Sequence, residues 1–157
     1  MSKKQSTMSQ RTRQAQKLTT ARIAVFVDGI PVINIGEIHP APLAHYLAVA
    51  DHQLNVEKRP TFHFPDMSPR MARSILSFIQ TTSTSMLSEA SASFPVPGRL
   101  LVDVDVYLCL LQVGMHSTIL FSTAVEICAN FATTWRELTP GGIIELDELF
   151  NSCERLL

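Results

Sequence analysis

Five histidines, three cysteines and fourteen acidic residues are the side chains of this 157-residue sequence that could do chemistry, and their spacing decides whether they do. His39, His45, His52, His63 and His116 give no pair four apart on a helix and no metal-ligand spacing. Cys109, Cys128 and Cys153 stand far apart, each in an apolar or helix-like stretch. They read as reduced core thiols in a reducing compartment, which places the chain inside the cell. Asp103 and Asp105 flank Val104 and invite comparison with paired general acids. On a helix, however, residues two apart point to different sides, so these two are read as helix-start acids favoured by the macrodipole. Cys109 and His116 have the types of a nucleophile and its base, but they lie seven apart on a helix that should stop at Gly114. The six glycines are isolated or paired, so neither a phosphate loop nor a G-x-S-x-G nucleophile elbow is present. The sequence therefore assigns no catalytic, cofactor-binding or metal-binding residue, and the chain is read as a binding protein that is not an enzyme and needs no cofactor.

What remains is surface and charge. Lys3, Lys4, Arg11, Arg13 and Lys17 lie in residues 1–20 without a single acid, leaving eight basic residues against fourteen acidic ones in the remainder. Such a polar, cationic tail cannot bury enough apolar surface to offset its ordering entropy, so residues 1–20 are expected to be disordered. The tail is a candidate contact for nucleic acid. It lacks the apolar middle section of a secretory signal. The most apolar region, Leu100 to Phe121, is interrupted by Asp103, Asp105, Gln112 and His116, so no membrane partner is expected.

Local patterning sets the elements. Ile23 to Val27 is a β-rich run ending at Asp28-Gly29, a hairpin signal, with Ile30 to Ile35 as the returning strand. A short helix is expected from about Pro42 to Ala50, and a polar stretch follows at 51–60. Phe62 and Phe64 alternate around His63 as a third strand. Ser68 then caps a helix that Pro69 opens, with Met71, Ile75, Leu76, Phe78 and Ile79 on one face and Arg70, Arg73 and Ser77 toward water. Thr81 to Ser93 reads as an exposed insertion. Leu100 to Gly114 and Ser117 to Phe131 form a helical hairpin, and an amphipathic helix starts after Thr139. The class is α+β, a small sheet with a β-hairpin packed against helical hairpins.

This order resembles the BTB (POZ) domain, over roughly Ile23 to Phe131. Phe62-His63-Phe64-Pro65-Asp66-Met67-Ser68-Pro69 is similar to that family's strand leading into an acidic, helix-capping turn. Val104-Asp105-Val106-Tyr107-Leu108 running to Gly114-Met115 looks like the late helix of fungal-type members. In the first helix His39 and Leu43 fit the family, whereas Leu47 and Ala50 replace its Ser and Phe. Leu54-Asn55-Val56-Glu57 has its acid one place late for the cullin-binding element, so ubiquitin-ligase recruitment is not implied. The resemblance implies a module acting through homo- or hetero-oligomers.

The resulting expectation is a disordered basic tail at 1–20, a BTB-like domain at 21–135 and a helical extension at 136–157, together acting as a protein-interaction module that pairs with another protein or with itself. The candidate contact residues are Ile23, Val25 and Val27 on the hairpin edge, Trp135, and Leu146, Leu149 and Phe150 on the terminal helix. The alternative is a nucleic-acid-associated factor using the tail.

Overall fold

A computed structural model describes residues 22–32, 38–85 and 92–154, the side chains at 150 and 152–154 excepted. The basic tail, Ile33 to Ile35 of the returning strand and residues 86–91 of the Ser/Thr-rich insertion lie outside the described residues. Within them the protein is α+β, with six α-helices and a three-stranded mixed sheet.

Strand β1 (Val25–Val27) turns through Asp28 and Gly29, at φ 50° and 73°, into β2 (Ile30–Pro31). Positive φ at both central residues is what a two-residue hairpin of matching twist requires, and Val27 pairs with Ile30 across it. Strand β3 (Phe62–His63) adds to the other side of β1 in parallel, giving the order β2-β1-β3. A parallel neighbour needs a crossover, and α1 (Pro40–Tyr46) and α2 (Ala48–Asp51) lie in that connection.

The helix expected from Pro42 to Ala50 is thus two helices broken at Leu47, whose φ and ψ of −121° and 113° are extended. Leu47 is fully buried and bridges to Met115. Beyond α2, His52–Val56 continue in a wider turn of π type through the first part of the polar stretch at 51–60.

Helix α3 (Pro69–Thr84) starts where its cap predicts, with Ser68 Oγ accepting from Met71 N–H at 3.2 Å. It buries Ala72, Ile75, Leu76 and Ile79, exposes Arg70, Arg73 and Ser77, and runs to Thr84, past the point where the insertion was expected to begin. Helices α4 (Leu100–Gln112) and α5 (Ser117–Thr134) form the expected hairpin. A single 3-10 turn at Trp135–Glu137 leads to α6 (Pro140–Glu154), which packs on α4. No helix among the described residues is long and apolar enough to cross a membrane.

One core joins these pieces. Val27 from the hairpin, Phe62 from β3, Leu43 and Leu47, Ile75 and Ile79, and Leu110 and Ile119 are all 2% exposed or less. The turn between α4 and α5 is a Schellman cap: Met115 N–H donates to Leu110 O at 2.9 Å and Gly114 N–H to Leu111 O at 3.0 Å. The start of α2 docks on the same turn, with Ala48 N–H donating to Gly114 O at 2.8 Å and Val49 N–H to Val113 O at 3.3 Å. Two helix ends thereby satisfy each other's orphan groups, and the extended Leu47 is what lets them meet.

Candidate protein-binding surface

Helix α5 carries one charged residue in eighteen, Glu126, and that carboxylate accepts from Ser93 Oγ at 2.9 Å. Its inner face is Ile119, Thr123 and Ile127. The outer face should then be polar, and it is not: Phe121 is 72% exposed, Val125 53%, and Cys128, Ala129 and Ala132 are exposed as well. Phe121, Val125, Cys128 and Ala132 follow the i, i+4, i+7, i+11 spacing of one straight stripe. A contiguous apolar stripe without charges is unusual on a surface that meets only water.

Past the end of α5, Trp135 is 52% exposed, with the Arg136 guanidinium 5.4 Å from its ring centre. Trp135 therefore does not bury itself to fasten the terminal helix to the body. On α6, Ile143 and Ile144 face solvent, whereas Leu146 and Leu149 are half-buried and Leu146 points inward to a cavity beside α4 and α5. The side chain of Phe150 is outside the described residues.

The hairpin does not offer the free edge expected of Ile23, Val25 and Val27. Strand β1 is the middle strand, so Val25 and Val27 are core, and Ile23 N–H donates to Ile38 O at 3.0 Å. The outer side of β3 is closed as well, because the Gln53 amide both donates to His63 O and accepts from His63 N–H, each at 2.8 Å. On the β2 side Pro31 has no N–H to give.

A second surface feature lies on the opposite flank of α4. Residues 92–99 form a strap held by the two buried polar side chains among the described residues, Thr123 and Asp103. Thr123 Oγ1 accepts from Phe94 N–H at 2.9 Å and donates to Ile119 O at 2.7 Å. Asp103 Oδ1 accepts from Gly98 N–H at 3.0 Å and Arg99 N–H at 3.2 Å, while Asp103 Oδ2 has no partner among the described residues. Phe94 is 2% exposed and rests on Phe78, ring centres 5.2 Å apart. The part of the insertion beyond residue 91 is therefore anchored rather than exposed. It walls a groove of about 820 Å³ whose other sides include Met67, Arg70, Met71, Asp105 and Cys109.

The groups considered for catalysis do not converge. Asp103 holds the strap and Asp105 is exposed. His116 caps α5, its Nδ1 accepting from Thr118 N–H at 3.4 Å, and stacks on His45 with ring centres 5.3 Å apart. Burial, and then the Asp105 carboxylate, push the Cys109 thiol above its ordinary value to about 11. A nucleophilic cysteine needs the opposite shift. In a Cys128→Ser, Cys153→Ser background, alkylation of Cys109 at pH 8 is expected to be roughly a hundredfold slower than that of an unperturbed thiol, the factor that a shift of about two pH units implies. A rate equal to that of a free thiol would contradict this placement. Among the described residues no group of three His, Cys, Asp or Glu is placed to hold a metal ion.

No protein-family model, no curated protein and no solved structure matches this chain.

Proposed function

We propose that the chain is a protein-interaction module that pairs with a second copy of itself through the outer face of α5. The observation that carries the reading is the uncharged stripe of Phe121, Val125, Cys128 and Ala132. The resemblance of the sequence to BTB/POZ domains, whose members act through homo- or hetero-oligomers, supports the same conclusion.

A second copy suits this surface better than an unrelated charged partner, because a two-fold contact sets the patch against itself. A like-charged patch would repel its twin, whereas this stripe has no charge to bring. If two α5 helices cross antiparallel about Val125, Phe121 of each meets the small Ala129 of the other, a large residue against a small one. The stripe from Phe121 to Ala132 is about 16 Å long at the helical rise. Such a contact lies at the small end of specific interfaces, so a micromolar dissociation constant is expected.

Sedimentation velocity between about 1 and 200 μM should show a monomer–dimer equilibrium, with the micromolar midpoint expected of a small interface. Phe121→Glu removes an apolar contact on both sides of the axis and puts two carboxylates against each other. It should weaken pairing by a factor of at least about a hundred, since each buried phenylalanine is worth about 1.5–3 kcal/mol. A protein that stays monomeric throughout, or a Phe121→Glu variant that dimerises as well as the parent, defeats the proposal.

A further inference from the structure

The main core includes neither Val104, Leu108 nor Ile127, although all three are buried. They line a separate cavity of about 300 Å³ between α4, α5 and α6. Among the described side chains of α6, Leu146 reaches it, while Ile143 and Ile144 remain in solvent. From α5 come Ala124, Ile127 and Cys128, and Phe131, 41% exposed, marks where the cavity meets the surface.

The chemistry of the walls selects the occupant. Among the described residues no Asp, Glu, Lys, Arg or His lines the space, and the surface that faces it is apolar throughout. Water in a cavity needs two to four polar partners, which these walls do not provide. A charged ligand would lose its hydration and gain no counter-ion. Apolar matter loses no hydrogen bonds on entry and gains van der Waals contact with the walls.

We propose that the cavity between α4, α5 and α6 is a binding site for a small uncharged hydrocarbon group, a chain or ring of roughly eight to twelve carbons. The size scales from an engineered apolar cavity of about 150 Å³ that holds one benzene, half the volume available here. This site lies within one copy of the chain; it shares Cys128 with the pairing stripe of α5, but Phe121, Val125 and Ala132 do not line it.

Straight-chain alcohols from butanol to tetradecanol test it by isothermal titration calorimetry or by competition with a fluorescent apolar probe. Affinity should rise about fourfold per added carbon, the gain from burying one methylene, and then stop rising at about ten carbons, where the cavity is full. Ala124→Leu adds three carbons to the wall and should bring that limit down by about three carbons. The shift in limit separates occupation of the cavity from loss of fold, which would weaken every alcohol alike. Octanoate should bind at least about tenfold more weakly than octanol, since no cation among the described residues lines the site. Phe121→Glu, which removes pairing, should bind the series as the parent does. Absence of saturable binding, affinity that climbs with no limit, a limit unmoved by Ala124→Leu, or octanoate binding as tightly as octanol would each overturn the assignment.

Discussion

Alanine in place of Gly114 is expected to lower stability by about 3 kcal/mol, the sum of a backbone cost and a packing cost. Gly114 has φ 64°, in the left-handed region, where a β-carbon costs about 1–2 kcal/mol. That β-carbon would also stand 2.7 Å from Ala48 Cβ and 3.4 Å from Ala48 N. Neither atom is the end of a flexible side chain. Moving α2 away would break the Ala48-to-Gly114 and Val49-to-Val113 hydrogen bonds that join the two helix ends. Overpacking of this kind costs about 1–3 kcal/mol. The two parts separate experimentally. Ala48→Gly in the Gly114→Ala background should restore the packing part and leave the backbone part, a coupling of about 1–3 kcal/mol in a double-mutant cycle by urea denaturation. If Ala48→Gly rescues nothing, the close approach of α2 to the α4–α5 turn does not hold this junction.

That junction also shows where the sequence is legible and where it is not. Gly114 reads correctly as a helix stop because a C-terminal glycine has a local cause, the left-handed cap. The Ser68-Pro69 start of α3 and the Asp28-Gly29 turn are read for the same reason, since each depends on residues within one turn of itself. The break at Leu47 has no local cause. Leu47 is a good helix former, and it becomes extended because its neighbour's amide finds a partner on residue 114, far along the chain. The parallel placement of β3 beside β1, which removed Val25 and Val27 from the candidate surface, is likewise decided by a crossover and not by either strand's pattern.

Helix α4 explains the largest gap in reading the surface. Its residues are apolar on nearly every side because it faces three things: the core through Leu110, the separate cavity through Val104 and Leu108, and the strap groove through Val106 and Cys109. The sequence of α5 has much the same apolar character, which by itself suits a largely buried helix. The distinguishing circumstance lies in the rest of the chain, where α6 comes to rest on α4 and leaves Phe121 and Val125 of α5 uncovered. Apolar content alone cannot tell a helix covered by its own chain from one awaiting another.

Asp103→Ala is expected to cost about 3 kcal/mol, and Asp103→Asn less than about 1 kcal/mol or nothing. The acid stands in the first turn of α4, as a helix-start residue should, but it is 1% exposed and its work is to hold the strap. Each hydrogen bond from Gly98 or Arg99 N–H to a carboxylate oxygen is worth about 1.5–3 kcal/mol, and alanine leaves both amides without an acceptor. Part of that loss is offset, because alanine also removes Oδ2, a buried oxygen with no partner among the described residues. Asparagine keeps an acceptor in the place of Oδ1 and discards the buried charge, which is why its cost should be small. Hydrogen exchange gives the local readout: in Asp103→Ala the Gly98 and Arg99 amides should exchange faster while Phe94 N–H, held by Thr123, stays protected. Thr123→Val should reverse that pattern. If asparagine is as damaging as alanine, the negative charge itself fastens the strap, and the account of two amides sharing one acceptor is wrong.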